Sequence, residues 1–414
     1  MARKRGSQRS KPATPRRAAA GRPADAPGET AKDRGSGGPR RVRTSPPCLR
    51  LLPADPRPWL LDSDEPSARW LTRLCLHDGA EADPAATRAA HHEILEDDGT
   101  QALLDRLPDW GPSGPEVSSH ASPAFAPNLL ALLADLGVAG GQDERIERLL
   151  DAMLEHQRPD GRFTSFGAYP RGAAGVWSAL PCDTHAITEV LLRFGRSEDE
   201  RVARAVARIR ADLSDTSQGP GWRCLPDPSV GFRGPGRVSD VCPQATLEGL
   251  RVLARLQVPE HGPEVLSAVR TVLHVWRERG RERPYMFGHG RRFKTIKWPT
   301  FWYDVYAVLD TVGRYPQVWS GPSADPVDRR AVAELAACML AYNVGDDGRV
   351  TPRSCYRGFE RYSFGQKRRP SPFATARVLV VLRRFEDLVD AIAAADVEAL
   401  TSSKGGRGVA LPPR

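Results

Sequence analysis

Three cysteines, a histidine and an aspartate carry the densest chemistry in this 414-residue chain: Cys182, Asp183 and His185 in one run, with Cys224 and Cys242 farther along. Three thiolates with an imidazole or a carboxylate would suit tetrahedral zinc, so zinc is the cofactor this set would take. No Cys-x-x-Cys pair joins them, and free cysteines are among the most often buried side chains, so three packed thiols are the competing reading. A second candidate is Asp304, set among Phe301, Trp302, Tyr303 and Tyr306. If it faces a cavity, burial would raise its pKa and ready it as an acid. The alternative is an aspartate near a helix N-terminus, paired with arginine or backbone. Asp183 is the other acid or base candidate. The third group is cationic: His289, Arg291, Arg292 and Lys294 in one connector, and Arg353, Arg357, Arg361, Lys367, Arg368 and Arg369 in another, with Tyr356, Phe359, Tyr362 and Phe364 interleaved. Arginine forks match phosphate oxygens bidentately. Above an apolar cavity walled by Trp302, Tyr303 and Tyr306, such cations would hold the anionic head of an amphiphile. The alternative is a solvated loop whose arginines pair with nearby acids.

These groups can act together only if distant segments meet, and a repeat supplies the means. A proline followed by about a dozen apolar, helix-forming residues recurs at Pro66, Pro127, Pro181, Pro243, Pro299 and Pro372, at intervals of 61, 54, 62, 56 and 73 residues. Proline is favoured in the first helical turn, so each marks a helix start. More amphipathic helices follow, over Asp143–Glu155, Asp199–Asp212, Pro263–Glu278 and Asp328–Tyr342. Uniformly apolar first helices and two-faced second helices fit two concentric rings. Turns with Asp, Gly and an aromatic close the pairs, as in Gln157-Arg-Pro-Asp160-Gly161-Arg-Phe163 and Gly219-Pro-Gly221-Trp222. Period-two alternation is scarce, so little sheet is expected. The expectation is an all-α fold, an α6/α6 toroid of six helical hairpins over residues 46–400. An open solenoid is the competing arrangement, and its repeats are usually shorter.

The Gln-x-x-Asp-Gly-x-Phe turn at 157–163 resembles the glutamine–tryptophan motif of squalene-cyclase and prenyltransferase repeats. Pro58-Trp59-Leu60-Leu61, Leu180-Pro181-Cys182-Asp183-Thr184 and Gly221-Trp222-Arg223-Cys224 look like the bacterial squalene-cyclase-like repeat proteins. The resemblance runs over most of residues 57–390 and implies the terpenoid cyclase and protein prenyltransferase toroid superfamily. It implies an isoprenoid-handling enzyme that takes a prenyl or polyprenyl substrate, diphosphates included. Cyclases of that superfamily carry their acid in an Asp-x-Asp-Asp-Thr run. Here only Asp183 and Thr184 agree, and the usual donor position falls on Cys182, whose thiol is too weak to protonate an alkene. Prenyltransferases of the superfamily use an Asp, Cys and His zinc site, which does not map onto these positions. Two further readings stay open: a non-catalytic toroid that binds a peptide or protein partner, and a zinc-dependent transferase using Cys182, Cys224 and Cys242.

Charge is concentrated at the start of the chain. Residues 1–45 hold thirteen Lys or Arg against three Asp or Glu, so the rest of the chain sums to about −1 although the whole carries +9. This segment lacks the apolar side chains that would offset its ordering entropy and is expected to be a disordered tail. It could add contact with a protein or an anionic surface. Residues 401–414 are expected to be a second, shorter tail. A neutral body argues against sequence-specific nucleic-acid binding. No apolar run reaches the ~18 residues of a membrane span, and the first residues do not read as a secretory signal. Seven cysteines thinly spread read as reduced, so the expected location is cytoplasmic, with membrane-peripheral contact through the tail as an option.

Overall fold

Proline opens most of the long helices, as the repeat predicts. Pro66, Pro181, Pro243 and Pro372 each stand at a first helical position and Pro127 at a second. The structure is a computed structural model, and it describes residues 45–77, 83–112, 122–168, 174–234, 236–256, 261–282 and 288–401. The expected tails, apart from Ser45 and Thr401, lie outside the described residues. In chain order the helices are α1 (Arg57–Leu61), α2 (Pro66–Cys75), α3 (Pro84–His92), α4 (Asp98–Leu104), α5 (Ala126–Leu136), α6 (Glu144–Glu155), α7 (Pro181–Arg193), α8 (Glu200–Asp212) and α9 (Pro243–Leu253). They continue as α10 (Pro263–Arg277), α11 (Arg291–Lys294), α12 (Val305–Val312), α13 (Pro316–Trp319), α14 (Pro326–Asn343), α15 (Pro372–Arg383), α16 (Val389–Ala393) and α17 (Val397–Thr401). Among the described residues, strands are confined to two-residue and three-residue ladders. β1 (Ser165–Gly167) pairs antiparallel with β2 (Val176–Ser178), and β3 (Ser214–Thr216) with β4 (Gly219–Gly221). β5 (Lys297–Trp298) pairs in parallel with β6 (Ser354–Cys355). The all-α expectation holds.

One proline behaves differently. Pro299 follows a cis peptide bond and opens no helix; α12 begins six residues later at Val305. The parallel ladder holds Lys297 and Trp298 extended beside Ser354 and Cys355, and Asp304 supplies the cap, its carboxylate accepting from the Ala307 N–H. A side-chain acceptor at the N-cap satisfies a donor that helix geometry leaves over, so the helix starts where the acceptor is.

The two helix classes are buried as their composition demands. Every residue of α9 is buried except Arg251. In α6 only Ile146, Leu149, Leu150, Met153 and Leu154 are buried, one stripe of a 3.6-residue period. The aromatic turns tie neighbouring pairs. Gln157 donates from Nε2 to the Gly161 and Arg201 carbonyls at 3.0 and 2.7 Å, which fastens the end of α6 to α8. Trp222 donates from Nε1 to the Ile209 carbonyl at 2.8 Å and lies against Gly249 of α9. The apolar helices pack in succession, α5 on α7, α7 on α9, α9 on α12 and α12 on α15, and α15 packs on α2.

Gly137 joins the first pair to the next. Its φ is +111°, and a Cβ there would stand 2.7 Å from the Ile94 Cδ1 and 2.8 Å from Trp70. Left-handed backbone costs an ordinary residue about 1–2 kcal/mol, and overpacking adds a similar amount. Gly137→Ala should therefore lower the unfolding free energy by about 2 kcal/mol or more. Urea denaturation checks this, and an unchanged midpoint would contradict the packing described.

Candidate functional site

Five of the apolar helices bring charge, not grease, to their meeting point. Between α5, α7, α9, α12 and α15 lies a cavity of about 60 Å³ lined by Asp135, Glu189, Glu248 and Asp310 together with Arg193, Arg251, Arg255, Arg314 and Arg377. Each of three carboxylates takes two guanidiniums. Glu189 accepts from Arg251 at 3.0 Å and Arg255 at 3.1 Å. Asp135 accepts from Arg193 at 2.6 Å and Arg377 at 2.9 Å, Asp310 from Arg314 and Arg384 at 3.0 Å each. Glu248 takes the Gln244 amide at 2.6 Å. Burial pushes the Glu189 carboxyl up, but Arg251, Arg255, Arg193 and Arg314 outweigh it and hold the pKa down at about 2. Asp310 is likewise held well below the carboxylate range, burial being outweighed by Arg314, Arg384 and Arg377. The ionised forms are fixed because several guanidiniums face each acid in a poorly solvated place.

None of these charges was picked out as a site from the sequence, yet a signal existed. Asp135, Glu189 and Arg251 each stand eight residues after the helix-opening proline, and Arg193 and Arg255 twelve after it. A charge recurring at one register on otherwise apolar helices marks a shared interior point.

The cysteine group is assembled, but not as a ligand shell. Burial raises the Cys182 thiol well above its ordinary value, with Asp183, Glu248, Cys224 and Cys242 pushing the same way. Cys242 is raised too, burial leading, with Cys224 and Glu248 adding. The thiols are thus near neighbours. His185 is turned aside: its Nδ1 meets the Ala245 carbonyl at 3.1 Å, its ring stands edge-on to Trp222, and burial lowers its pKa to about 4. Asp183 accepts from the Ser165 hydroxyl at 2.5 Å. Among the described residues no three His, Cys, Asp or Glu side chains are grouped to hold a metal ion.

Asp304 is buried at a helix N-terminus and does not line the cavity. It caps α12, accepting from the Ala307 N–H at 2.9 Å and the Lys297 N–H at 3.3 Å. Burial nevertheless pushes its carboxyl up to about 7, against the pull of those backbone donors. Tyr303 and Tyr306 are buried and Trp302 half-buried, but of these three only Tyr306 lines the central cavity.

The cationic candidates divide. His289 and Lys294 are interior: His289 meets the Tyr303 hydroxyl at 2.9 Å among Trp276 and Phe293, with burial lowering its pKa to about 3, and the Lys294 ammonium lies 5.5 Å from the Tyr342 ring. Arg291 and Arg292 are at the surface, as are Arg353, Arg357, Arg361, Lys367, Arg368 and Arg369. The β5–β6 ladder stitches the two connectors together, and Lys297 rests 3.6 Å from the Tyr356 ring across the join. None of the eight surface cations forms an ion pair among the described residues, and Glu360 is the single exposed acid between them.

No family model matches the chain, and no curated protein does. Solved structures similar to it include two of one cyclase. One is type II terpene cyclase MstE from Scytonema without ligand, 16% identical over 78% of this chain and 88% of that one, with a TM-score of 0.38. The other is a variant of the same cyclase in complex with geranylgeranyl dihydroxybenzoate, its substrate, 16% identical over 78% and 87%, with a TM-score of 0.39. Among the described residues no helix is long and apolar enough to cross a membrane.

Proposed function

We propose that residues 46–400 close into an α6/α6 toroid and that the protein works as a binding module, docking an acidic protein or peptide on the basic face of its two stitched connectors. The packing of α15 on α2, and of Trp70 against the end of α5, supports closure. The observation that carries the function is the set of eight exposed Arg and Lys side chains held on one joined pair of loops, none of them in an ion pair among the described residues. A charged surface of this kind steers and orients an oppositely charged partner. The centre speaks against cyclisation. A cavity of about 60 Å³ has no room for a C15 chain, and five lining arginines would repel a carbocation that a cyclase must stabilise. Arg357→Glu/Arg361→Glu/Lys367→Glu should abolish binding to a fluorescent polyglutamate peptide, followed by anisotropy, and wild-type affinity should fall steeply with salt. Binding to phosphatidylserine vesicles but not to the peptide would replace the protein partner by a membrane.

Asp304 favours a second reading, isoprenoid handling with this carboxyl as the acid. Burial lifts its pKa to about 7 beside Tyr303 and Tyr306. Titration calorimetry with farnesyl diphosphate and squalene separates the two: heat with either restores the isoprenoid reading, and silence with both removes it.

A further inference from the structure

We infer that the centre of the helix array is a binding site for one small free oxyanion, of phosphate or sulfate size, gripped by Arg251, Arg255, Arg314 and Arg377. The charges do not balance without it. Five guanidiniums and four carboxylates line the cavity, and Arg384 adds a sixth through Asp310. Three of the carboxylates are already shared between two arginines each. Buried charge is costly unless paired, so a surplus of cations around a poorly solvated space calls for an anion.

The hydrogen-bond donors agree with the charge. Arg251 spends only Nε, on Glu189, and its two terminal nitrogens meet no acceptor among the described residues. Arg377 spends one terminal nitrogen on Asp135, and Arg314 one on Asp310. Guanidinium forks are suited to oxyanions bidentately, and these are held in place by their carboxylates before any ligand arrives. The size selects the ligand. A water needs about 10–15 Å³ of such free volume, so the cavity of about 60 Å³ holds a few waters. That favours a small oxyanion over a phosphate ester or a lipid head group. This site is separate from the basic face proposed above, and its charges are interior where those are exposed.

The test is titration calorimetry on the full chain in a zwitterionic buffer, with sodium phosphate and sodium sulfate as probes and sodium chloride at matched ionic strength as control. Saturable binding of one oxyanion per chain is expected, with a rise in melting temperature that chloride does not give. Arg251→Gln should weaken binding at least about tenfold. Glu248→Gln removes a negative charge from the wall and should tighten it, and this variant decides the matter if Arg251→Gln does not fold. Absence of saturation in the wild type, or affinity that Glu248→Gln leaves unchanged or lowers, would overturn the site. Phosphoethanolamine binding as well as phosphate does would overturn the restriction to a small free oxyanion.

Discussion

Glu189→Gln should cost about 3–5 kcal/mol of unfolding free energy, because it strips the shared anion from Arg251 and Arg255 and leaves two guanidiniums facing each other in the interior. Glutamine keeps the shape and loses only the charge, so a cavity term does not confuse the result. The same interaction sets a pH window. Glu189 titrates near 4.5 in the unfolded chain and near 2 when folded, so its contribution is present above the unfolded value and lost as pH falls through the folded one. The difference amounts to about 3 kcal/mol at neutral pH. Urea unfolding of wild type and variant between pH 6 and about 2 is the measurement. The wild type should lose stability over the lower part of that range, and the variant should lose less. Parallel curves, or a variant within about 0.5 kcal/mol of the wild type at pH 6, would mean that the guanidiniums find water or other acceptors and that the hub is not held by charge.

The large elements were readable because their causes are local. Proline at the first turn, a 3.6-residue apolar stripe in α6 and the Gln157–Phe163 turn each announce themselves within a dozen residues. Pro299 misled because what decides it is distant: β6, more than fifty residues on, draws Lys297 and Trp298 into a ladder, and the helix waits for the Asp304 cap. The centre was hidden for a related reason. Arg251 looks like any solvated charge until α7, α9 and α12 are laid side by side, since the acid that binds it lies 62 residues away. The cysteines show the converse. Their convergence at the start of α7 and α9 was legible from the repeat, but the turning of His185 toward the Ala245 carbonyl depends on side-chain packing that spacing does not encode.

Asp304→Asn should make the protein more stable at pH 8 while leaving it no better at pH 4. An N-cap aspartate ordinarily has its pKa lowered by the helix dipole and by the N–H groups it accepts from. Here desolvation exceeds both and lifts the carboxyl from 3.8 to about 7. A folded value above the unfolded one gives stability that is whole below pH 4 and drains away as pH rises through 7. The loss for the wild type is about 4 kcal/mol across that interval. Asparagine has no proton to lose. Its oxygen still accepts from the Ala307 N–H, while the long bond from the Lys297 N–H is given up at about 1 kcal/mol. The net gain at pH 8 is therefore about 3 kcal/mol, and at pH 4 the variant should be about 1 kcal/mol weaker. His185 and His289 push the wild-type curve the other way, since their lowered folded values make stability rise with pH between about 3 and 6.5. The difference between variant and wild type removes that shared background. A difference that does not grow from pH 4 to pH 8 would show Asp304 to be an ordinary ionised cap, and would take from the isoprenoid reading the protonated acid on which it depends.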